Sequence, residues 1–468
     1  MKYLTKFSAL FTLLLLMTFG CQNSNNPPTG KILSFPGAEG AGKFTVGGRG
    51  GDIYHVTNLS DAGPGSLREG VESINGPRTI VFDIGGTIRL RDDLTIDSVS
   101  YLTIAGQTAP GKGITVVDYP IKIRNSRHVI VRYLRIRLGD ENKPAGSGPD
   151  CIEVNYNDHV MLDHLSLSWG IDGNGDFRGL SHVTLQWIIF SEALNNSLHG
   201  KGPHAMCSSF RDTKGVATMH HNIYASSRSR HPTINGGSDV VEFCNNVDYN
   251  WKNGHNISGD QFNLINNYYK AGPSMDATRR PIQIKTQVNP VTSMGYFSGN
   301  HFEGLPEAYN DDNYTAMNYN ASGLGFGAET KYLSTTREQF ESSERFDAGE
   351  YKLTEIESAH EAYESCLKYS GCSLMRDEVD ERFIRTIIDN TGRIIDSQSE
   401  VGGWDLYPPV SRPDNWDTDL DGMPDEWEVK MGFDPNDAED RNGDLNGDGF
   451  TNLETYFHDI IVQSVEPR

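Results

Sequence analysis

HVIVRYLRI (128–136) decides the fold, because close copies follow it: HVMLDHLSL (159–167), HVTLQWIIF (182–190), GVATMHHNIY (215–224), DVVEFCNNVDY (239–249) and QFNLINNYY (261–269). Each copy is a short run rich in β-branched and aromatic residues, then a polar kink, then a second short run, which reads as strand, turn, strand. Asn222, Asn246, Asn267 and Asn300 follow their strand starts at one offset, separated by 24, 21 and 33 residues. A unit of that length cannot bury its apolar face alone, so the copies stack as a parallel β-solenoid. Asparagines at one turn position then lie above one another and can hydrogen-bond up the stack as a ladder. An antiparallel sandwich would share the short alternating strands but leaves the fixed asparagine offset without a cause.

Upstream of the repeats, glycines bracket one alternating strand (52–57), and SLREGVESI reads as a short helix capped by Ser66. TIVFDI, TIRL, LTI and LTIAG follow as further short strands. Past Pro306 the strand pattern fades, and residues 355–389 read as two amphipathic helices packed on the flank of the solenoid. The prolines of PPVSRPDNWD mark 408–416 as a linker, which divides a 33–407 solenoid from an acidic piece over 417–460.

The chain of 468 residues carries 41 basic and 63 acidic residues, a net charge of -22. That charge argues against nucleic acid as a partner and repels any polyanion that cations do not bridge to the protein. Lys2, Lys6, the apolar run 9–17 and a cysteine after Gly20 read as a secretory signal over 1–21, with Cys21 as the lipidated first residue and 22–32 as a polar tether. The expected location is therefore secreted: a bacterial periplasm, or a surface reached through that anchor, with no other membrane contact. Cys366 and Cys372 in CLKYSGC are close enough in sequence to close a small disulfide loop, whereas Cys151, Cys207 and Cys244 read as buried apolar residues. Adjacent His220 and His221 on a strand would face opposite ways and make a poor metal pair.

FPGAEGAGKFTVGGRGG (35–51), LDHLSLSWGID (162–172), HGKGPH (199–204) and SRSRHP (227–232) occur in the order seen in polysaccharide lyase family 1, and over roughly Ser34 to Pro408 the chain resembles the pectate lyases of that family. The resemblance implies a right-handed parallel β-helix and cleavage of polygalacturonate by β-elimination. It places substrate-bridging Ca2+ on Asp150, Asp172 and Asp176, the proton-abstracting base on Arg230, and a grip on the uronate carboxylate on Lys201. Gly148 stands where the family often has a further acidic residue, and Asn235 where it has a second arginine, so Arg228 and Asn235 become candidate substrate contacts with His199 and His204 beside them. The rivals are a pectin lyase acting on methyl-esterified polymer, a hydrolase on the same solenoid, and a non-catalytic carbohydrate-binding surface protein. The chain is expected to work as a monomer.

The acidic tail reads DTDLDGMPDEWE from Asp417, which fits a twelve-residue calcium loop with Asp417, Asp419, Asp421, Asp425 and Glu428 as ligands and Gly422 at the turn. DLNGDGFTNLE offers Asp444, Asn446, Asp448 and Glu454, although its glutamate falls one residue early. Together they resemble the paired calcium loops of EF-hand and dockerin modules, here a small α module that folds with calcium. Its role is open between a structural one and docking to a protein partner.

Overall fold

The computed structural model describes residues 31–465 apart from 144, 238, 260, 277, 288–292, 320–331 and 334. The signal, Cys21 and most of the tether lie outside the described residues. Three sheets of ten strands run the length of the molecule, and their hydrogen-bonded neighbours are parallel except where two short strands join antiparallel. The chain is a right-handed parallel β-helix.

Register follows the repeats. Val160 pairs with Val129 below and Val183 above, and Leu162 with Val131 and Leu185, so like residues stack in one buried column. The kink between paired strands is a residue in the left-handed region: Tyr133, His164, Trp187, His221, Asn245 and Asn266 all have φ between 53° and 56°. Their rings stack where aromatic, with His164 between Tyr133 (4.6 Å) and Trp187 (5.9 Å). The residue that follows this kink in the later rungs is the ladder asparagine: Asn222 N donates to Asn246 Oδ1 (3.0 Å), Asn246 N to Asn267 Oδ1 (2.9 Å) and Asn267 N to Asn300 Oδ1 (3.0 Å). Asn313 extends the ladder one step further, accepting from Asn300 N at 2.9 Å.

Helices Ala359–Tyr369 and Glu378–Ile388 form where amphipathic periodicity placed them, and their apolar faces cover Ile189, Ile223, Val247 and Tyr249 of the third sheet. The short helix Leu67–Glu72 starts as expected, Ser66 accepting from Glu69 N at 3.1 Å.

Three expectations are corrected. Cys366 and Cys372 are both free and buried. Cys366 Sγ is 3.4 Å from Asn245 O, whereas Cys372 Sγ is 3.4 Å from Tyr133 O, several rungs away. Helix Ala359–Tyr369 ends between them and carries the two thiols to different layers. His220 and His221 do not diverge. His220 ends its strand, His221 turns left-handed (φ 54°), and their Nδ1 atoms meet at 2.8 Å. The 408–416 segment is more than a spacer, because Val410–Ser411 pairs antiparallel with Ile84 and Gly85 and ties the tail to the first rungs.

Candidate active site

The second sheet carries the site. Asp150 immediately precedes strand Ile152–Asn155, Asp172 precedes Gly173–Arg178, and Asp176 lies within the latter, opposite Glu153. Backbone bonds from Asp172 N to Pro149 O (3.1 Å) and from Met206 N to Asp172 O (2.9 Å) stitch three rungs at that point. Gly173 has no alternative there: a Cβ would come within 2.5 Å of Asp150 Oδ1 and 2.7 Å of Met206 O. Its bare backbone lets the Asp150 carboxyl lean over the next rung.

The three aspartates act on one another. Asp150 is pushed well above the usual carboxylate range, first by burial and then by the charges of Asp172 and Asp176, with Arg230 pulling the other way. Asp176 holds Arg211 Nη2 at 2.6 Å. Asp172 Oδ1 is 3.0 Å from His204 Nε2, an ion-pair distance without hydrogen-bond alignment, which leaves that buried oxygen without a true donor.

His204 is the hub. Burial pushes it below the ordinary histidine value; Asp172 raises it, and His199, Arg230 and Lys201 lower it further. Asp172 and His199 lie against this imidazole, a carboxylate oxygen and the ring nitrogens coming within 4.8 Å of one another. The 199–204 loop is fixed by His204 N to Asn195 O (2.7 Å) and Ala205 N to Leu194 O (3.1 Å), and the His199 and His204 rings stack at 3.8 Å. Lys201 is exposed at the loop tip, its N–H donating to His199 Nδ1 at 3.1 Å.

Arg230 occupies the left-handed region (φ 61°), an uncommon place for a side chain, and its carbonyl accepts from Ser208 N at 2.8 Å. The next residue anchors it: fully buried His231 bonds Asp248 Oδ1 at 2.8 Å through Nδ1 and Ser227 O at 2.9 Å through Nε2. Burial pushes Asp248 up to about 6 against the opposing pull of His231. Arg211, His231 and Asp248 were not predicted. His231 lies within SRSRHP beside Arg230, but only folding brings it to Asp248, and no motif marks Arg211 or Asp248.

The two departures from the family pattern have structural answers. A side chain at Gly148 would meet His199 at 2.8–2.9 Å, so the imidazole occupies the place of the missing acid. Asn235 pairs in register with Arg211 and accepts from Ser258 Oγ at 3.0 Å. Arg228 lies further along, its carbonyl accepting from Lys252 N (3.2 Å) and Asn253 N (2.8 Å).

A probable pectate lyase C of Aspergillus terreus is 34% identical over 444 residues, covering 92% of this chain and 95% of that one. The chain belongs to the pectate lyase family. A probable pectate lyase C of Emericella nidulans gives 33% over 441 residues, with 93% and 94% covered. No family model matches the chain. Among solved structures, jun a 1, the major allergen from cedar pollen, is similar at 17% identity and a TM-score of 0.49 over 71% of this chain and 92% of that one. The family assignment rests on the sequence relatives. As a pectate lyase the chain is a polysaccharide lyase, and the rungs around Asp150, Asp172 and Arg230 are its candidate active site.

In the tail of this pectate lyase, the structure divides the predicted ligands. Asp417, Asp419 and Asp421 gather with carboxylate oxygens within 4.8 Å of one another, as do Asp421, Glu428 and Asp440. Asp440 was not predicted, and Asp425 belongs to neither group. Both Asp425 oxygens are taken by Thr418, through its N–H (2.7 Å) and hydroxyl (2.6 Å), because Asp425 starts helix Asp425–Met431 and faces back along the chain. Glu454 is likewise diverted, its carboxylate gripping Arg49 Nε at 2.7 and 2.9 Å. Asp444, Asn446 and Asp448 hold their own loop together, Asp444 accepting from Gly447 N (2.8 Å) and Gly449 N (2.9 Å), and Asn446 Nδ2 donating to Asp448 at 2.9 Å.

Proposed function

We propose that this pectate lyase cleaves (1→4)-α-D-galacturonan by calcium-dependent β-elimination, giving 4,5-unsaturated oligogalacturonides. The observation that carries this reading is the crowding of Asp150 by Asp172 and Asp176 on successive rungs, with Arg230 acting on the same carboxyl. Three carboxylates with oxygens to spare suit a hard cation. Asp150, Asp172 and Asp176 would hold that calcium, which when bound would neutralise the uronate carboxylate and steady the charge developing beside C5.

The remaining work falls to the protein's own groups. Lys201, on its exposed loop, reaches out for the sugar-acid carboxylate. Arg230 is the proposed base. In its neutral form it accepts the proton from C5. Arg230 takes the C5 proton, the C5–H electron pair forms the C4–C5 double bond, the bond from C4 to the bridging oxygen breaks, and that oxygen leaves and takes a proton from water. His231 and Asp248 hold Arg230 in place during this step, and Arg228, Asn235, His199 and His204 line the sugar path.

The deciding experiment incubates the enzyme with polygalacturonate plus calcium or a chelator and follows the ultraviolet absorbance of the new double bond. Calcium-dependent growth is expected. Growth on highly esterified pectin regardless of calcium would replace this reading with a pectin lyase, and reducing ends without absorbance with a hydrolase. Secretion with Cys21 as a lipid anchor belongs to the same proposal, supported by Lys2, Lys6 and the apolar run 9–17. Labelling with a fatty acid that Cys21→Ser abolishes is its test.

A further inference from the structure

The tail holds buried carboxylate oxygens that nothing in the protein satisfies. Both oxygens of Asp419, both of Glu428, Asp421 Oδ2 and Asp440 Oδ1 are buried without a hydrogen-bond partner. Asp421 and Glu428 are 0% exposed, so bulk water does not replace the missing donors. The surroundings offer little counter-charge. Among the described residues the basic group within ion-pair distance of this cluster is His55, whose Nε2 lies 3.9 Å from Asp417 Oδ2. Two ligand oxygens on one calcium ion are at most about 5 Å apart, given Ca–O distances near 2.5 Å. The two groups within 4.8 Å share Asp421, which places both beside one carboxylate. An all-carboxylate set without nitrogen or sulfur selects a hard cation over zinc, and the number of protein oxygens selects calcium over magnesium, which keeps most of its waters.

We propose that one calcium ion held by Asp417, Asp419, Asp421, Glu428 and Asp440 pins the C-terminal helices onto the first rungs of the β-helix, as an internal clamp and not as a module for docking another protein. The loop and the solenoid are mechanically one piece. Gly422, at the loop's turn (φ 94°), sits where a Cβ would lie 3.5 Å from both Ile53 and Val81 of the first two rungs. Trp427, Leu453, Tyr456 and Phe457 bury themselves against Val81 and Ala105, which covers the apolar face a partner would need. His55 bridges the two parts, bonding Asp83 through Nδ1 (2.9 Å) and Leu420 O through Nε2 (3.1 Å). The second acidic loop differs in exposure: Asp444, Asn446 and Asp448 are open to solvent, and Glu454 is spent on Arg49.

The test uses the full-length chain with calcium alone and no substrate. Calorimetric titration is done in an Asp150→Asn/Asp172→Asn background, so that the cleft contributes nothing and failure of the lyase reading stays separate. One calcium per chain is expected, with a melting temperature raised by at least ~3 °C at saturation. Glu428→Gln and Asp440→Asn should each weaken binding at least ~10-fold, while Asp425→Asn and Asp444→Asn change it less than about twofold. Hydrogen exchange on the wild-type enzyme, with calcium or chelator, should show added protection in the strands holding Val81 and Ala105 as well as in the tail. Absence of tight calcium binding, two ions per chain, equal losses from Asp444→Asn and Asp440→Asn, or protection confined to the tail would each overturn the clamp.

Discussion

The cleft and the tail both crowd carboxylates, and they resolve the crowding differently. Two unit negative charges about 4.8 Å apart repel by roughly 3–4 kcal/mol at an effective dielectric of 20, so neither cluster is stable without positive charge nearby. In the cleft the protein supplies some of it: Arg211 on Asp176, and Arg230 acting on Asp150. Those side chains hold the acids apart from solvent without filling their coordination, which suits an ion that arrives with a charged polymer. In the tail the acids face inward and, among the described residues, have His55 beside Asp417 as their ion-pair contact, while Glu428 and Asp421 are fully enclosed. A permanently bound ion fits that arrangement. On the proposed reading the same residue type serves exchange at one place and permanence at the other, and the difference lies in the neighbouring cations.

The largest expected effect is on the cleft. Arg230→Ala should lower kcat by about 10³-fold, the scale of a lost proton-transfer group, with the melting temperature and the tail's calcium binding unchanged. Retained turnover would remove Arg230 from its role. Asp150→Asn comes next, raising the calcium concentration for half-maximal activity at least ~10-fold while leaving the melting curve alone; a fall in melting temperature instead would mean the cleft ion is also structural. Gly148→Asp probes the place now held by His199, and should lower the calcium requirement by about threefold through an added ligand charge. No change there would show that the displaced imidazole matters more than the extra acid.

The smallest effect is one of pH, and it concerns a carboxylate paired within the protein. Burial raises Asp163, but His164 and Arg132 outweigh it and hold this acid well below the usual range. The sign follows: stability from a depressed carboxyl is complete above its unfolded value near ~4 and is lost as the pH falls below that. Denaturation of Asp163→Asn followed across that range should depend on pH less steeply than wild type, by up to about one proton. An unchanged slope would mean that other carboxylates govern acid unfolding.

Much of this was legible in the chain. The spacing of Asn222, Asn246 and Asn267 required stacked rungs, since side chains bond up a column only when the repeat is regular, and the ladder duly runs on to Asn300. The motif residues Asp150, Asp172, Arg230 and Lys201 could be listed, because each sits in a short run of recognisable order. What they touch could not. His199 fills the space above Gly148, and His231 reaches Asp248, because solenoid rungs bring together residues that are 51 and 17 positions apart in the chain. The tail shows the same limit more sharply. A loop motif counts positions along one segment, so it named Asp425, whose helix turns its carboxylate back to Thr418, and passed over Asp440, which arrives from the next turn. It likewise assigned Glu454 to a loop when Arg49, hundreds of residues earlier, offered a stronger partner.

The sequence by itself determined the architecture and the chemical kind of the site, because periodicity and residue type are properties of the chain read locally. Only the tertiary structure decided which acids are neutralised by the protein and which are left without a partner. That outcome depends on distance and burial in space, and charges interact through space regardless of their order along the backbone.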